Sequence, residues 1–230
     1  MRDIDNKSIL FQQPETKQNI AYKKLKEMIL TCELPEDRFL VERQLSETLG
    51  ISRTPIRAAL NDLCAEGLVV NYPGRGMVVS SVTIEDVVEI YQIRHVLDEM
   101  AFREVLENND PNVIGLMRFH TAEMKKYIEK GENEKCVEHD MAFHDCYYLN
   151  IHNQRLSKML FSLRDQIRRF LNFTVGDDER IPLTYQEHKS IMDAVEANNV
   201  DEACERLVYH LYQARDYHLN RIHKAISIRR

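Results

Sequence analysis

Asp140 and His144 stand four positions apart in the run Glu138-His139-Asp140-Met141-Ala142-Phe143-His144. That spacing puts a carboxylate and an imidazole one turn apart on one face of a helix. Two further histidines occur in comparable settings, His188 in Tyr185-Gln186-Glu187-His188-Lys189-Ser190-Ile191 and His210 in Leu207-Val208-Tyr209-His210-Leu211. Each of the three has apolar neighbours at helical spacing (Phe143 and Tyr147, Ile191, Leu207 and Leu211), so all three faces are expected to point inward. Three imidazoles and one carboxylate suit a borderline divalent ion such as Zn²⁺, Ni²⁺, Mn²⁺ or Fe²⁺. The bland alternative is three hydrogen-bonded core histidines, the usual fate of a histidine on an inner helix face.

A second group of residues suits a different chemistry. The stretch Leu45 to Leu60 reads as two short helices around a tight turn, with Leu45, Leu49, Ile51, Ile56 and Leu60 forming a small apolar face. Gly50 falls where the first helix must end, since glycine takes the left-handed C-terminal position at little steric cost. Ser52 is placed to cap the second helix, and Pro55 lies in its first turn, where a missing N–H costs nothing. Ser52, Arg53, Thr54 and Arg57 then occupy the exposed start of that helix, the arrangement with which a helix-turn-helix meets a major groove. Downstream, Glu66-Gly67-Leu68-Val69-Val70 and Pro73-Gly74-Arg75-Gly76-Met77-Val78-Val79 read as a two-stranded wing.

The elements that must carry these residues follow from composition and periodicity. Among 230 residues 43% are hydrophobic and 30% charged, with only 7 Gly and 6 Pro, as suits long helices with few turns. No apolar run approaches the ~18 residues of a membrane span, so no membrane partner is expected. The first residues lack the apolar core of a signal peptide. Five cysteines without C-x-x-C spacing predict reduced thiols in a cytoplasmic protein. The net charge of −6 is unevenly placed: residues 1–83 hold 11 basic and 11 acidic side chains, so the remainder carries the whole excess. Binding DNA needs a local basic face rather than a basic total, and Arg43, Arg53, Arg57 and Arg75 supply candidates for one.

Three segments are expected: a loose arm over 1–16, a winged helix-turn-helix over 17–82 with three helices and a hairpin, and an all-helical bundle over 83–230. Thr83 caps the first bundle helix, with Glu85 and Asp86 in its first turn. Asn109-Asp110-Pro111, Gly131, His152-Asn153, a loop at Gly176-Asp177-Asp178, and Asn198-Asn199 then divide the rest into six or seven helices. The fold class is mainly α.

Ser52-Arg53-Thr54-Pro55-Ile56-Arg57-Ala58-Ala59-Leu60, followed by Leu63, Glu66-Gly67-Leu68-Val69 and Pro73-Gly74-Arg75-Gly76, resembles the signature of the GntR family of bacterial transcription regulators. The resemblance covers residues 18–82. One departure is Cys32-Glu33-Leu34-Pro35-Glu36-Asp37, where the family has Gly-x-Leu-x-Pro-Gly. The loss of both glycines is expected to alter that turn. The helical segment is similar to the FCD effector domain of the FadR-like subfamily, many members of which carry an Asp-x-x-x-His pair, a Glu-His-x-x-Ile histidine and a histidine about twenty residues on. Asp140, His144, His188 and His210 match those positions.

The resemblance implies a homodimeric, ligand-responsive regulator, most simply a repressor. Arg53 and Arg57 would read guanines, Ser52 and Thr54 would share the groove, Arg43 would hold phosphate, and Gly74 and Arg75 would approach the duplex from the wing. A dimer would read an inverted repeat. The effector would be a small carboxylate, held by the metal and by Arg94, which matches an arginine of the first effector-domain helix. A salt bridge with Asp98, four residues on, is the alternative for Arg94. Two rivals remain open in the sequence: a metal-dependent HD-type phosphohydrolase built on His139-Asp140 with His120 and Asp193, and a metal-free structural DNA-binding dimer.

Overall fold

The computed structural model describes residues 15–81, 83–174 and 179–228. Most of the arm expected over 1–16 and the loop expected at Gly176–Asp178 lie outside these residues. The described residues form nine α-helices and one hairpin, in two compact units. Of the described residues, one unit comprises those up to Ile29 together with Glu33–Ser80, and the other Leu30–Cys32 together with those from Ser81 onward.

The first unit holds α1 (Lys17–Leu30), α2 (Glu42–Leu49), α3 (Arg53–Ala65), β1 (Val69–Tyr72) and β2 (Gly76–Val79). Ala21, Leu25, Ile29, Leu45, Ile56, Leu60 and Leu63 are buried and make its core. Gly50 closes α2 at φ 65°, the left-handed conformation predicted for it. Ser52 has the extended backbone of an N-cap, but its side chain makes no capping bond, so the hydroxyl predicted to cap α3 does not do so. The strands pair antiparallel, Val69 with Val79 and Tyr72 with Gly76, and Phe39 adds a bridge to Val78.

The turn after α1 takes left-handed backbone without glycine. Cys32 (φ 60°) and Asp37 (φ 57°) both take left-handed backbone angles where the related pattern has glycine. Backbone bonds fix the turn, from Leu34 N to the Met28 carbonyl at 2.9 Å and from Asp37 N to the Val79 carbonyl at 3.1 Å. A non-glycine residue held there costs about 1 kcal/mol or more. Cys32→Gly is therefore expected to raise stability by up to about 1 kcal/mol, less the extra chain entropy glycine gives the unfolded state. Denaturant titration would read the gain; a loss would mean that the Cys32 side chain contributes more than its backbone angle costs.

The second unit contains α4 (Ile84–Asn108), α5 (Pro111–Lys130), α6 (Asn133–Tyr148), α7 (Gln154–Thr174), α8 (Arg180–Glu196) and α9 (Val200–Ile228). Thr83 starts α4 with a full capping box: its Oγ1 accepts from Asp86 N at 3.0 Å, and its own N–H donates to the Asp86 carboxylate at 2.8 Å. Asp110 caps α5 ahead of Pro111, and Asn153 accepts from the Arg155 and Leu156 amides at the start of α7. The core is aromatic and aliphatic, with Phe102, Phe143, Tyr147, Tyr148, Leu160, Ile191 and Leu207 all but excluded from solvent. Helices α5 and α6, α4 and α9, and α8 and α9 pack side by side. That packing turns the inner faces of α6, α8 and α9 toward one another.

Candidate metal centre and nucleic-acid interface

Helix α6 supplies Asp140 and His144, α8 supplies His188, and α9 supplies His210. One ligand atom from each lies within 4.8 Å of the others. The three histidines are buried and Asp140 is half-buried. The imidazole rings sit 4.5 to 5.5 Å apart, with His144 and His210 stacked and His188 edge-on to both.

The hydrogen bonds around the cluster fix where the protons are. His188 Nδ1 is 2.9 Å from the Thr184 carbonyl, which can only accept, so Nδ1 carries the proton. His210 Nδ1 donates to Glu187 Oε2 at 2.8 Å, and both Glu187 oxygens are already held by Arg180 at 2.6 and 2.7 Å. His144 Nδ1 lies 2.6 Å from the Tyr147 hydroxyl, which itself donates to Asp98 Oδ1 at 2.5 Å and so must accept from the imidazole. Burial pushes His144 well below its usual range, with Arg94 adding to the effect, and pushes His188 down to about 4. Near neutral pH His144 and His188 are therefore neutral, and each keeps a bare lone pair on Nε2.

These lone pairs decide whether a metal fits. His188 Nε2 and Asp140 Oδ1 are both buried, lie 3.3 Å apart, and neither makes a hydrogen bond. A carboxylate oxygen and an unprotonated imidazole nitrogen face each other without a proton between them. That arrangement is unfavourable unless a cation lies between them. The donor set thus fits a divalent ion, and its outer hydrogen bonds are of the kind that orient metal-bound imidazoles.

Asp98 is the hub behind His144. It is fully buried and accepts from Tyr147, from Tyr148 at 2.7 Å, and from Arg94 Nε at 2.9 Å and Nη2 at 3.4 Å. The salt bridge considered for Arg94 is therefore formed. It uses the Nε/Nη2 edge of the guanidinium, and Nη2 also reaches the Tyr148 hydroxyl at 3.1 Å. The roles of Tyr147, Tyr148 and Glu187 were not foreseen. Tyr147 stood out only as an apolar flank, and its hydroxyl's partner lies on another helix.

Other candidates are placed elsewhere. His139 stacks on Tyr127 and contacts His120 Nδ1 to Nδ1 at 2.9 Å, away from the cluster. Asp193 pairs with Lys189. The set needed for an HD-type phosphohydrolase is not assembled. On α7, Arg164 is bound to Asp145 and Asp165, and Arg169 is buried.

In the first unit, Ser52, Arg53, Thr54 and Arg57 are exposed along the start of α3, and Arg43 is exposed on α2 beside Glu47 at 3.8 Å. Gly74 and Arg75 form the exposed wing tip, closed by a bond from Arg75 N to the Tyr72 carbonyl at 2.9 Å. Glu42, at the first turn of α2, was not foreseen. Its Oε1 and Oε2 accept from Arg57 Nε at 2.6 Å and Nη2 at 2.9 Å, and Arg53 Nη2 lies 3.5 Å away. The Arg57 bonds hold the Glu42 carboxyl below its usual range.

Residues 17–79 match the profile described as bacterial regulatory proteins, gntR family, and residues 89–213 match the FCD domain. An HTH-type transcriptional regulator of Bacillus subtilis, YdhC, is 30% identical over 192 residues, covering 82% of this chain and 85% of the relative. A gluconate operon transcriptional repressor of Bacillus licheniformis is 22% identical, covering 74% of this chain and 68% of the relative. The solved structure of E. coli McbR/YncC superposes with a TM-score of 0.74 at 21% identity, covering 86% of this chain and 95% of that one, and so shares the fold. Among the described residues no helix is long and apolar enough to cross a membrane. The chain belongs to the gntR family of bacterial regulatory proteins, in the branch whose second unit is an FCD domain, and is a transcription regulator rather than an enzyme.

Proposed function

We propose that this regulator is a cytoplasmic homodimeric repressor that reads an inverted repeat in double-stranded DNA, and that a small organic acid at the metal centre alters its affinity for that operator. Ser52, Arg53, Thr54 and Arg57 enter the major groove, with Arg53 and Arg57 on guanine edges, while Arg43 and the Gly74–Arg75 tip hold the backbone. Asp140, His144, His188 and His210 hold a divalent ion, Zn²⁺, Ni²⁺, Mn²⁺ or Fe²⁺, which when bound offers a carboxylate an open coordination position. Arg94 lies one shared carboxylate and one hydroxyl from His144. Its Nη1 is left over by the Asp98 and Tyr148 bonds and offers an anion a hydrogen-bond donor.

The single observation that carries the effector site is the pair of buried, unprotonated atoms, Asp140 Oδ1 and His188 Nε2, at 3.3 Å. Elemental analysis of tag-free protein tests it. About one ion per chain is expected, and His188→Ala should lose it. In the loaded protein, a panel of small carboxylates should change operator affinity roughly 5–150-fold, the range of ordinary allosteric coupling. Ion-free protein that still binds its operator and still answers a carboxylate would refute the metal centre and leave the regulator.

A further inference from the structure

We propose that Glu42 is a positioning residue for sequence readout: its carboxylate holds the side of the Arg57 guanidinium so that the free end of that fork faces the groove, and a longer contact steadies Arg53 beside it. This rests on the reading of α3 as the groove helix. The geometry is specific about which edge is used. Glu42 takes Arg57 Nε and Nη2, the side-on edge. A guanidinium has five N–H groups in a rigid fork, so the end-on Nη1/Nη2 edge keeps a donor pair for the O6 and N7 of guanine. Arg57 is exposed, with a side-chain accessibility of 61%, and would otherwise sample many rotamers. Arg53 lies one turn earlier on the same helix face and shares the same carboxylate, so one acidic side chain serves two candidate base readers.

A purely stabilising role explains the contact poorly, because exposed ion pairs contribute little to folding. A purely electrostatic role explains it poorly too. A carboxylate on a surface that meets phosphates weakens binding to every duplex, whatever its sequence. Holding the arginine forks in one pose lowers the rotamer entropy lost on binding, and does so only where a guanine awaits the fork.

The experiment uses the full chain. Wild-type protein enriches a duplex from a randomised library, and affinities for that duplex and for a scrambled one of equal length are compared at one salt concentration. Glu42→Ala is expected to weaken the selected duplex roughly tenfold while leaving the scrambled one unchanged or tighter, since a bidentate arginine–guanine pair is worth at least that much discrimination. Glu42→Gln, which keeps one acceptor, should recover part of the loss. In an Arg57→Ala background Glu42→Ala should be close to silent. A selected motif that survives Glu42→Ala unchanged, or a parallel rise for both duplexes, overturns the positioning role alone. A parallel fall with a lowered melting temperature assigns Glu42 to structure and overturns it equally. A wild-type chain that enriches no sequence overturns the groove reading and this proposal with it.

Discussion

Asp98→Ala is expected to destabilise the helical unit by about 3–5 kcal/mol, the usual result of stranding one member of a buried ion pair. Asp98 is fully buried and collects bonds from Arg94, Tyr147 and Tyr148. Without it the Arg94 guanidinium stays buried with only the Tyr148 hydroxyl as a hydrogen-bond partner, and the Tyr147 hydroxyl loses its acceptor. Tyr147 then no longer has to accept from His144, whose ring orientation is released. Metal affinity should fall as well, by the roughly 10–100-fold that follows loss of an outer-sphere partner. Chemical denaturation and ion titration read the two effects separately. The double variant Asp98→Ala with Arg94→Met removes the stranded charge and should recover much of the stability. A single variant within about 1 kcal/mol of the wild type would show that the pair is not the anchor its geometry suggests.

Acid should loosen the same unit well above the pH at which carboxylates titrate. Burial pushes His188 down to about 4 and His218 down to about 3 in the folded chain. In the unfolded chain a histidine titrates near 6.5, so below about that pH the unfolded state binds more protons than the folded one. Stability is therefore full above about pH 6.5 and falls as the pH drops, until the folded-state values are reached. Each histidine approaches about 1.4 kcal/mol per pH unit once the unfolded ring is mostly protonated, so the two together should cost about 3 kcal/mol between pH 6.5 and 5. Thermal denaturation of metal-free protein at constant ionic strength checks this. A melting temperature that does not move between pH 7 and 5 would mean that water or a counter-ion already serves these rings.

The fold was largely legible because its signals are local. Gly50, the Thr83 capping box and the Asp110-Pro111 start each announce a helix end through backbone chemistry that a few residues decide. That Asp140, His144, His188 and His210 face inward and converge was legible for a related reason: helical periodicity tells which way a residue points once its neighbours are apolar. What periodicity does not tell is who stands opposite. Glu42 and Arg57 are on different helices, as are Asp98 and Tyr147, and His210 and Glu187. The left-handed angles of Cys32 and Asp37 were not legible, because propensity there yields to the bonds of Leu34 and Asp37 with residues outside the turn.

The facing lone pairs of His188 and Asp140 have a consequence for how much of this protein a cell holds. A repulsive contact left uncompensated lowers the stability of the empty form, and the ion proposed for this centre would stabilise the fold as its free concentration rises. Differences of about 1–2 kcal/mol change steady-state abundance several-fold through proteolysis of the unfolded fraction. If the centre holds the proposed ion, metal starvation would thin the regulator's population, and its target genes would register the supply of that ion through the lifetime of the protein.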